Sequence, residues 1–329
     1  MILSKTPLRM SFTGGGSDLP DYYNVSGMGA VLSTTINKYI YINVKTKFDS
    51  KIRLSYSQTE IVDDPSQIQH ELVRECLLAS DVLSSVEITS IADIPSNGTG
   101  LGSSSSYTVG LLKSLSTYTG NNWSIEDIAK IACNIEMNIL NHPIGKQDQY
   151  SAAYGGLNYI QFNSDNSVII EPISISSGAI IDLFSNIIVF YTGISRPSDS
   201  VLTRQKENTR TRKTTRAILD KMVEQTITLR EYLEKDDLSV MGDILNEGWQ
   251  LKKKLCSNIA TDSINLWYNI AMKNGALGGK ILGAGGGGFL MLYAPKSEHE
   301  KIKLSLSNLR YIPINYERNG TQIVYHEKE

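Results

Sequence analysis

A loop rich in glycine and serine, residues 95–106, constrains this chain more than any other stretch. It reads Pro-Ser-Asn-Gly-Thr-Gly-Leu-Gly-Ser-Ser-Ser-Ser, and its alternating glycines leave the backbone free to take positive φ and to lie close to a ligand. The apolar residues that follow recur at helical spacing, which predicts a helix over 103–118. Such a loop favours anions, because unpaired N–H groups and the positive end of the helix dipole face the same point. We interpret it as a cradle for nucleotide phosphates; an ordinary turn before a capped helix is the alternative.

Two better-known phosphate motifs are excluded. A P-loop needs Gly-Lys followed by Ser or Thr, but Gln147 and Ile281 follow the two Gly-Lys pairs of the chain. The spacing GxGxxG occurs at Gly283, Gly285 and Gly288. However, an apolar run typical of a strand follows it, where a dinucleotide-binding unit needs a helix.

Composition and charge narrow the class of protein. With 329 residues the chain is long enough for two domains with separate cores. A net charge of −2 and no long run of Lys or Arg argue against a nucleic-acid or membrane-surface binder. Three widely spaced cysteines and four scattered histidines form neither a disulfide frame nor a metal-ligand pattern. Since no signal peptide or membrane-spanning run is visible, we expect a cytoplasmic protein, with monomer and homodimer both open.

A second glycine cluster follows the strand predicted over 2–13. Residues 14–18 read Gly-Gly-Gly-Ser-Asp, and consecutive glycines let the backbone bend tightly around a bound group. Asp18 can accept hydrogen bonds from sugar hydroxyls, and Arg9 on the strand can meet an anion. Judged alone, each position favours an ordinary role over a functional one: a turn residue for Asp18 and a solvated strand residue for Arg9.

Two carboxylates complete a minimal set for phosphoryl transfer. Glu136 lies within the apolar side of the helix predicted after Ser124, where a carboxylate is costly unless it is paired or binds a cation. We favour a magnesium ligand over an edge glutamate that reaches water. Asp148 follows in a loop formed around Pro143 and Gly145. Phosphoryl transfer needs such a residue to orient the attacking hydroxyl, together with cations for the developing charge.

The remaining pattern predicts an α+β architecture with domains at 1–185 and 186–329. Helical patterns dominate residues 200–273, and a second glycine-rich stretch, 275–289, can bring backbone close to the first domain's site; a hairpin or bulge loop is the alternative. We predict a domain junction within 172–185. We also predict antiparallel strands joined by short turns at 30–47 and 51–56, and further strands at 85–91, 157–162, 168–173, 187–191, 311–316 and 322–326.

Taken in order, three motifs resemble those of the GHMP kinase superfamily, named for galactokinase, homoserine kinase, mevalonate kinase and phosphomevalonate kinase. Residues 7–18 are similar to the substrate motif, 95–105 to the PxxxGLGSS phosphate motif and 278–289 to the C-terminal glycine-rich motif. The resemblance implies an N-terminal domain like domain 2 of ribosomal protein S5 and a ferredoxin-like C-terminal domain. It also implies that ATP and substrate bind in the cleft between them.

The resemblance implies roles for individual residues. Asp148 matches the catalytic aspartate, and Arg9 matches the basic residue near the transferred phosphoryl group. Ser104 and Glu136 match the two Mg²⁺ ligands, and Asp18 matches the sugar-binding aspartate of galactokinases. The predicted phosphate-binding residues are Gly98, Gly100, Leu101, Gly102, Ser103, Ser104 and Ser105. The predicted substrate-binding residues are Gly15, Gly16, Ser17, Asp18, Gly155, Gly156, Arg196, Gly285 and Gly286.

Within the superfamily, residues 9–18 and the Gly-Lys-Gln-Asp-Gln at 145–149 are most similar to D-glycero-D-manno-heptose 7-phosphate kinases. That resemblance implies phosphorylation of the anomeric C1 hydroxyl to the 1,7-bisphosphate, for nucleotide-activated heptose in bacterial surface glycans. Galactokinases differ locally, with Glu-His before the threonine and aspartate of the first motif.

Two alternative functions and two unassigned binding sites stay open. A fucokinase-like branch is the alternative enzyme, and a non-catalytic ATP and sugar sensor on the same fold is the alternative class. Arg196, Arg204 and Lys206 are candidates for a 7-phosphate site, although they fit an exposed helix equally well. The adenine pocket has no readable motif, and residues 53–61 are a candidate region.

Overall fold

The computed structural model describes residues 1–94, 100–194 and 198–327. Two sheets with helices packed on them build the fold, so the expected α+β class is confirmed. In this described part of the chain, no helix has the length and apolar character needed to span a membrane.

The first half of the chain supplies most of the larger sheet. Its strands are β1 (Ile2–Thr13), β2 (Met28–Thr46), β3 (Ile52–Ser55), β4 (Thr59–Val62), β5 (Val86–Ala92), β6 (Leu157–Asn163) and β7 (Val168–Pro172). Its helices are α1 (Pro20–Ser26), α2 (Glu71–Ala79), α3 (Ser103–Tyr118), α4 (Ile125–Cys133), α5 (Gln147–Tyr154) and α6 (Ser177–Ser185).

The long strand β2 organises the larger sheet. One edge of β2 pairs with β1, while the other pairs first with β6 and further along with β5. Helix α3 packs on β1 and β2. Gly110 permits this close approach, since a Cβ there would lie 2.5 Å from Thr6 Oγ1. The buried side chains between α3 and the sheet fix the start of α3 beside Arg9.

One sequence prediction for this half, the hairpin of neighbouring strands, is wrong. Strands β2 and β3 are not neighbours joined in a hairpin, because β5 lies between them and β3 pairs in parallel with β5. The segment predicted as a domain junction contains α6, whose first turn is capped by the Ser176 side chain accepting from the Ala179 N–H. Local periodicity identifies strands and helices, but it does not determine which strands become neighbours.

The second half of the chain builds a smaller four-stranded sheet among the described residues. Its elements are β8 (Ile187–Tyr191), α7 (Ser198–Thr211), α8 (Lys213–Leu233), α9 (Met241–Leu255), α10 (Asp262–Lys273), β9 (Gly278–Ile281), β10 (Phe289–Tyr293), α11 (His299–Ser305) and β11 (Arg310–Tyr311). The strand order is β11-β8-β10-β9, with antiparallel neighbours throughout. This is the split arrangement of a ferredoxin-like βαββαβ unit.

The end of the chain returns to the larger sheet. The last strand, β12 (Gln322–His326), pairs antiparallel with β1, although the predicted division at 185/186 places it with the second half. The segment before it contacts the same sheet, since the Glu317 carbonyl accepts from Thr35 Oγ1 at 2.7 Å. The last residues of the chain therefore lead from the smaller sheet back to the larger one.

Candidate active site

A cleft lies where the first turn of α3, the loop after β1, the start of α5 and the loop between β9 and β10 converge. Helices α7 and α9 contribute Gln205 and Lys252 to its wall. Many of the predicted site residues line this cleft: Arg9, Gly15, Gly16, Asp18, Gly100, Gly102, Ser103, Ser104, Ser105, Glu136, Asp148 and Gly285.

Arg9 links two parts of the cleft. It lies on β1 and is 3% exposed. Its Nε and Nη2 donate to the two carboxylate oxygens of Asp148, each at 2.7 Å, and its Nη1 donates to the Gly100 carbonyl at 2.7 Å. A bidentate arginine–carboxylate pair fixes geometry as well as charge. Arg9 thus holds Asp148 at a set distance from the glycine–serine loop.

Asp148 lies in the first turn of α5, one residue after the helix begins. The sequence predicted a loop here, and the structure corrects that to a helix start at Gln147. The position favours a carboxylate, because the N-terminal end of a helix carries partial positive charge.

Asp18 lies beside Asp148 and is 3% exposed. Its carboxylate accepts from the Gly16 N–H at 2.9 Å and from the Gln147 N–H at 3.4 Å. Burial, followed by the charge of Asp148, raises the pKa of the Asp18 carboxyl. Gly145 is required at its position, since a Cβ there would lie 2.0 Å from Asp18 Oδ2. Asp18 thus ties the glycine cluster after β1 to the start of α5.

The described part of the glycine–serine loop wraps around Arg9. The Arg9 N–H donates to the Leu101 carbonyl at 3.0 Å. Gly102 caps α3 in the left-handed region at φ +72°, where a Cβ would lie 3.1 Å from Arg9 Cγ. Ser104 is exposed at the helix start, whereas Leu101 is buried and faces the core. This geometry aims the N-terminal end of α3 into the cleft.

Glu136 sits in a π-helical turn, Asn134–Ile139, that continues α4; such turns are frequent at functional sites. It is fully buried, and its Oε2 accepts from Ser105 Oγ at 2.8 Å and from Gln149 Nε2 at 3.1 Å. Its Oε1 has no hydrogen-bond partner among the described residues. Burial raises the pKa of Glu136 to about 7. A cleft-lining carboxylate with one buried, unpaired oxygen is suited to a cation.

The two glycine-rich stretches touch. A Cβ on Gly283 would lie 2.3 Å from the Gly100 Cα, and a Cβ on Gly100 would lie 2.3 Å from the Leu282 carbonyl oxygen. Both glycines have positive φ, at +69° and +77°. The loop between β9 and β10 therefore closes one side of the cleft by backbone contact with the glycine–serine loop.

Several predicted site residues are placed elsewhere. Ser17 is fully buried, and its Oγ bonds the backbone of Ala30. Gly286 donates its N–H to the Ile259 carbonyl. Gly155 and Gly156 pack against the segment leading to β12, where a Cβ on Gly155 would lie 2.0 Å from the Gly320 nitrogen. Neither Ser17, Gly286 nor these two glycines is among the described residues that line the cleft.

The two described candidates for a 7-phosphate site, Arg204 and Lys206, are not among the residues that line the cleft. Arg204 faces a separate surface depression and donates to Ser257 Oγ at 3.4 Å. Lys206 forms an ion pair with Asp21 of α1 at 3.8 Å. Arg196 and Gly98 lie outside the described residues. The candidate adenine region, 53–61, forms strands β3 and β4 and is not part of the described cleft wall.

Sequence reasoning missed Gln205 and Lys252. Gln205 is 2% exposed and approaches the glycine cluster, since a Cβ on Gly16 would lie 2.2 Å from its Nε2. Lys252 follows Leu245 and Trp249 at helical spacing on the buried side of α9. The sequence thus contained a signal for Lys252, a charged residue on the apolar face of a helix. The same kind of signal indicated a functional role for Glu136.

A helix start aimed at a cleft, beside an aspartate fixed by an arginine, is the arrangement of a phosphoryl-transfer enzyme. The family description "GHMP kinases N terminal domain" matches residues 69–156, and "GHMP kinases C terminal" matches residues 229–311; together they span just over half of the chain. The chain belongs to the GHMP kinases. It is a kinase that transfers a phosphoryl group to a hydroxyl acceptor, and its two halves have the two-domain fold of that family.

Individual relatives extend this result over nearly the whole chain. The D-glycero-alpha-D-manno-heptose 7-phosphate kinase of Campylobacter jejuni is 29% identical, with 94% of this chain and 95% of the relative covered. The bifunctional fucokinase/GDP-fucose pyrophosphorylase of Arabidopsis thaliana is 27% identical over 90% of this chain, which spans 30% of that protein. The crystal structure of a D-glycero-D-manno-heptose 1-phosphate kinase from Bacteroides thetaiotaomicron superposes with a TM-score of 0.83, at 25% identity and with 100% of both chains covered.

Proposed function

We propose that this kinase transfers the γ-phosphoryl group of ATP to the anomeric C1 hydroxyl of D-glycero-D-manno-heptose 7-phosphate, giving the 1,7-bisphosphate. The observation that carries the proposal is Arg9, which binds both oxygens of Asp148 and the Gly100 carbonyl. Arg9 thereby connects Asp148, which would bind the acceptor hydroxyl, to the glycine–serine loop, which would bind the phosphates of ATP. The choice of a heptose phosphate is supported by the full-length similarity to the Campylobacter jejuni enzyme.

Asp148 orients the attacking hydroxyl. Two arginine hydrogen bonds hold this carboxylate in a fixed orientation, so its main contribution is to accept a hydrogen bond from the C1 hydroxyl and fix its direction. It receives the proton as the new bond to phosphorus forms. Asp18 is buried next to Asp148. It accepts hydrogen bonds from the neighbouring sugar hydroxyls or, when protonated, donates one to them.

The phosphates are held at the start of α3. The positive end of the helix dipole lies there and favours a negatively charged group. Glu136 and Ser104 are the residues that would hold Mg²⁺, since both line the cleft and Glu136 has an unpaired carboxylate oxygen. Mg²⁺ commonly takes one or two protein ligands together with substrate phosphates. When bound, it supplies positive charge against the transferring phosphoryl group.

The direct test is ADP release with MgATP and a panel of acceptors: heptose 7-phosphate, heptose 1-phosphate, free heptose, mannose, fucose and galactose. Selective turnover of heptose 7-phosphate, with the new phosphate at C1 by ³¹P NMR, is the expected result. Turnover of fucose would instead establish the fucokinase activity that the similarity to the Arabidopsis thaliana protein makes the second candidate. Binding of ATP and a sugar without ADP release would contradict the enzyme and favour a sensor.

Asp148→Asn tests the mechanism. The amide keeps the volume but loses the charge and one acceptor, so kcat is expected to fall by roughly 10²–10⁴. Sugar affinity, measured by calorimetry, should change little. Near-normal turnover with intact sugar binding would remove Asp148 from the reaction.

A further inference from the structure

Lys252 is a buried cation in the cleft wall that the mechanism above does not use. It lies on α9, is 5% exposed and lines the cleft. Its Nζ donates to the Gly283 carbonyl. Among the described residues it forms no ion pair with a carboxylate. An ammonium group has three donors, so two remain for a ligand.

The charges around Lys252 do not balance within the described residues. Arg9 is matched by Asp148. Lys280, on β9, is also buried and donates to the carbonyls of Ser11 and Phe12 at 2.8 and 3.1 Å. Asp18 is the further acid that acts on Lys252, and its own pKa is raised. Burial, followed by the charges of Lys252 and Arg9, holds the pKa of Lys280 well below its usual value, so Lys280 tends to be neutral. Among the described residues, Lys252 thus lies near a paired arginine and a carboxyl that tends to hold its proton.

Leaving a buried cation without a counter-ion is costly. Burial, followed by the charge of Arg9, lowers the pKa of Lys252 to about 8. The arrangement is explained if an anionic ligand completes it. Gly283 touches Gly100 of the glycine–serine loop, so the amine lies at the phosphate side of the cleft.

We propose that Lys252 binds phosphate oxygens of a ligand in this cleft, with the transferred phosphoryl group favoured over the phosphate carried by the sugar. This rests on the kinase function and deepens it. Lys252 and Arg9 would then act from two sides, with Arg9 fixing Asp148 and Lys252 stabilising charge that develops during transfer.

The test compares Lys252→Met with Lys254→Met, which removes the same charge from an exposed position on the same helix. Calorimetry with MgAMP-PNP and MgADP needs no acceptor, so it remains decisive even if no sugar on the panel is turned over. We expect Lys252→Met to weaken MgAMP-PNP binding by about tenfold or more while MgADP binding is retained. With an acceptor, kcat is expected to fall by about 10² or more.

A different set of affinity changes in Lys252→Met would show that the lysine binds the phosphate carried by the sugar. If Lys252→Met weakens binding of heptose 7-phosphate but not of free heptose or MgAMP-PNP, then Lys252 binds the phosphate of the sugar. If Lys252→Met matches Lys254→Met with every ligand, the proposal is overturned.

The wild-type protein provides a second measurement if Lys252→Met does not fold. Arg9, Asp18 and Lys280 are the charged groups that face Lys252 or lie behind it. Since Lys252 must be protonated to bind phosphate, affinity for MgAMP-PNP should fall above pH about 8, by up to about tenfold per pH unit, while affinity for MgADP does not. Flat affinities between pH 7 and about pH 9.5 for both MgAMP-PNP and heptose 7-phosphate would overturn the proposal.

Discussion

At the scale of single residues, Glu136 makes stability depend on pH. Its pKa is about 7 in the folded protein against a usual value of 4.5, so between these values the folded state holds a proton that the unfolded state has lost. The free energy of unfolding of the metal-free protein should therefore decrease as pH rises from about 4.5 to 7, by at most about 3 kcal/mol. Urea denaturation at several pH values measures this.

Glu136→Gln is the matched variant for that prediction. The amide keeps the shape and cannot ionise, so the variant should lack the Glu136 part of the decrease. Asp18 contributes in the same direction in both proteins, because its pKa is also raised, and it cancels in the comparison. Parallel pH profiles for the two proteins would mean that Glu136 ionises freely in the fold. Mg²⁺ should stabilise the wild type above pH 7 more than Glu136→Gln.

Single residues also show where sequence reasoning succeeds. A charged residue on an apolar helix face is visible in sequence, and this signal placed Glu136 in the site. The same signal exists at Lys252, but its meaning depends on Gly283, a contact between α9 and a distant loop. Ser17 shows the converse, because its hydroxyl fits a ligand role by type and instead bonds the Ala30 backbone.

At the scale of elements, the contact between the two glycine-rich loops determines the shape of the cleft. Gly283→Ala would place a methyl group 2.3 Å from the Gly100 Cα, on a backbone whose φ of +69° lies in the left-handed region. Gly120→Ala is the matched control, since Gly120 has φ +75° and no described atom lies within 4 Å of the point that a Cβ would occupy there. Both variants should lose about 1 kcal/mol of stability from backbone strain. Gly283→Ala alone should also lose activity, by about tenfold or more in kcat/KM, because the loops must separate.

Equal kcat/KM for these two alanine variants would show that the loop contact is not needed for catalysis.

The secondary-structure elements around the two glycine-rich loops were largely predictable from the sequence. Strands β1, β8 and β10 coincide with apolar runs, and α4 begins with the Ser124–Asp127 capping box. Strand neighbours were not predictable, since β5 enters between β2 and β3 through pairings that no local pattern records. The π-helical turn that presents Glu136 is likewise a product of packing.

At the scale of the whole molecule, the end of the chain stabilises the half that carries Asp148. Residue Thr321 donates its N–H to the Ala152 carbonyl of α5, and its hydroxyl lies 2.7 Å from that of Thr6. Strand β12 then pairs with the first residues of β1. A sequence pattern predicts that 322–326 is a strand, but its partner is more than three hundred residues away along the chain. The pairing is thus a tertiary property.

Truncation after Arg318 tests this connection. It removes β12 and the Thr321 contacts, so β1 becomes an edge strand and the end of α5 loses a support. We expect the thermal midpoint to fall by on the order of 5–10 °C. Hydrogen exchange should accelerate in residues 2–6 and 150–156, while protection in β8 and β10 is retained, because the smaller sheet keeps all its pairings. Loss of protection in β8 and β10 with residues 2–6 unchanged would instead favour the division at 185/186, in which the last strand belongs to the second half.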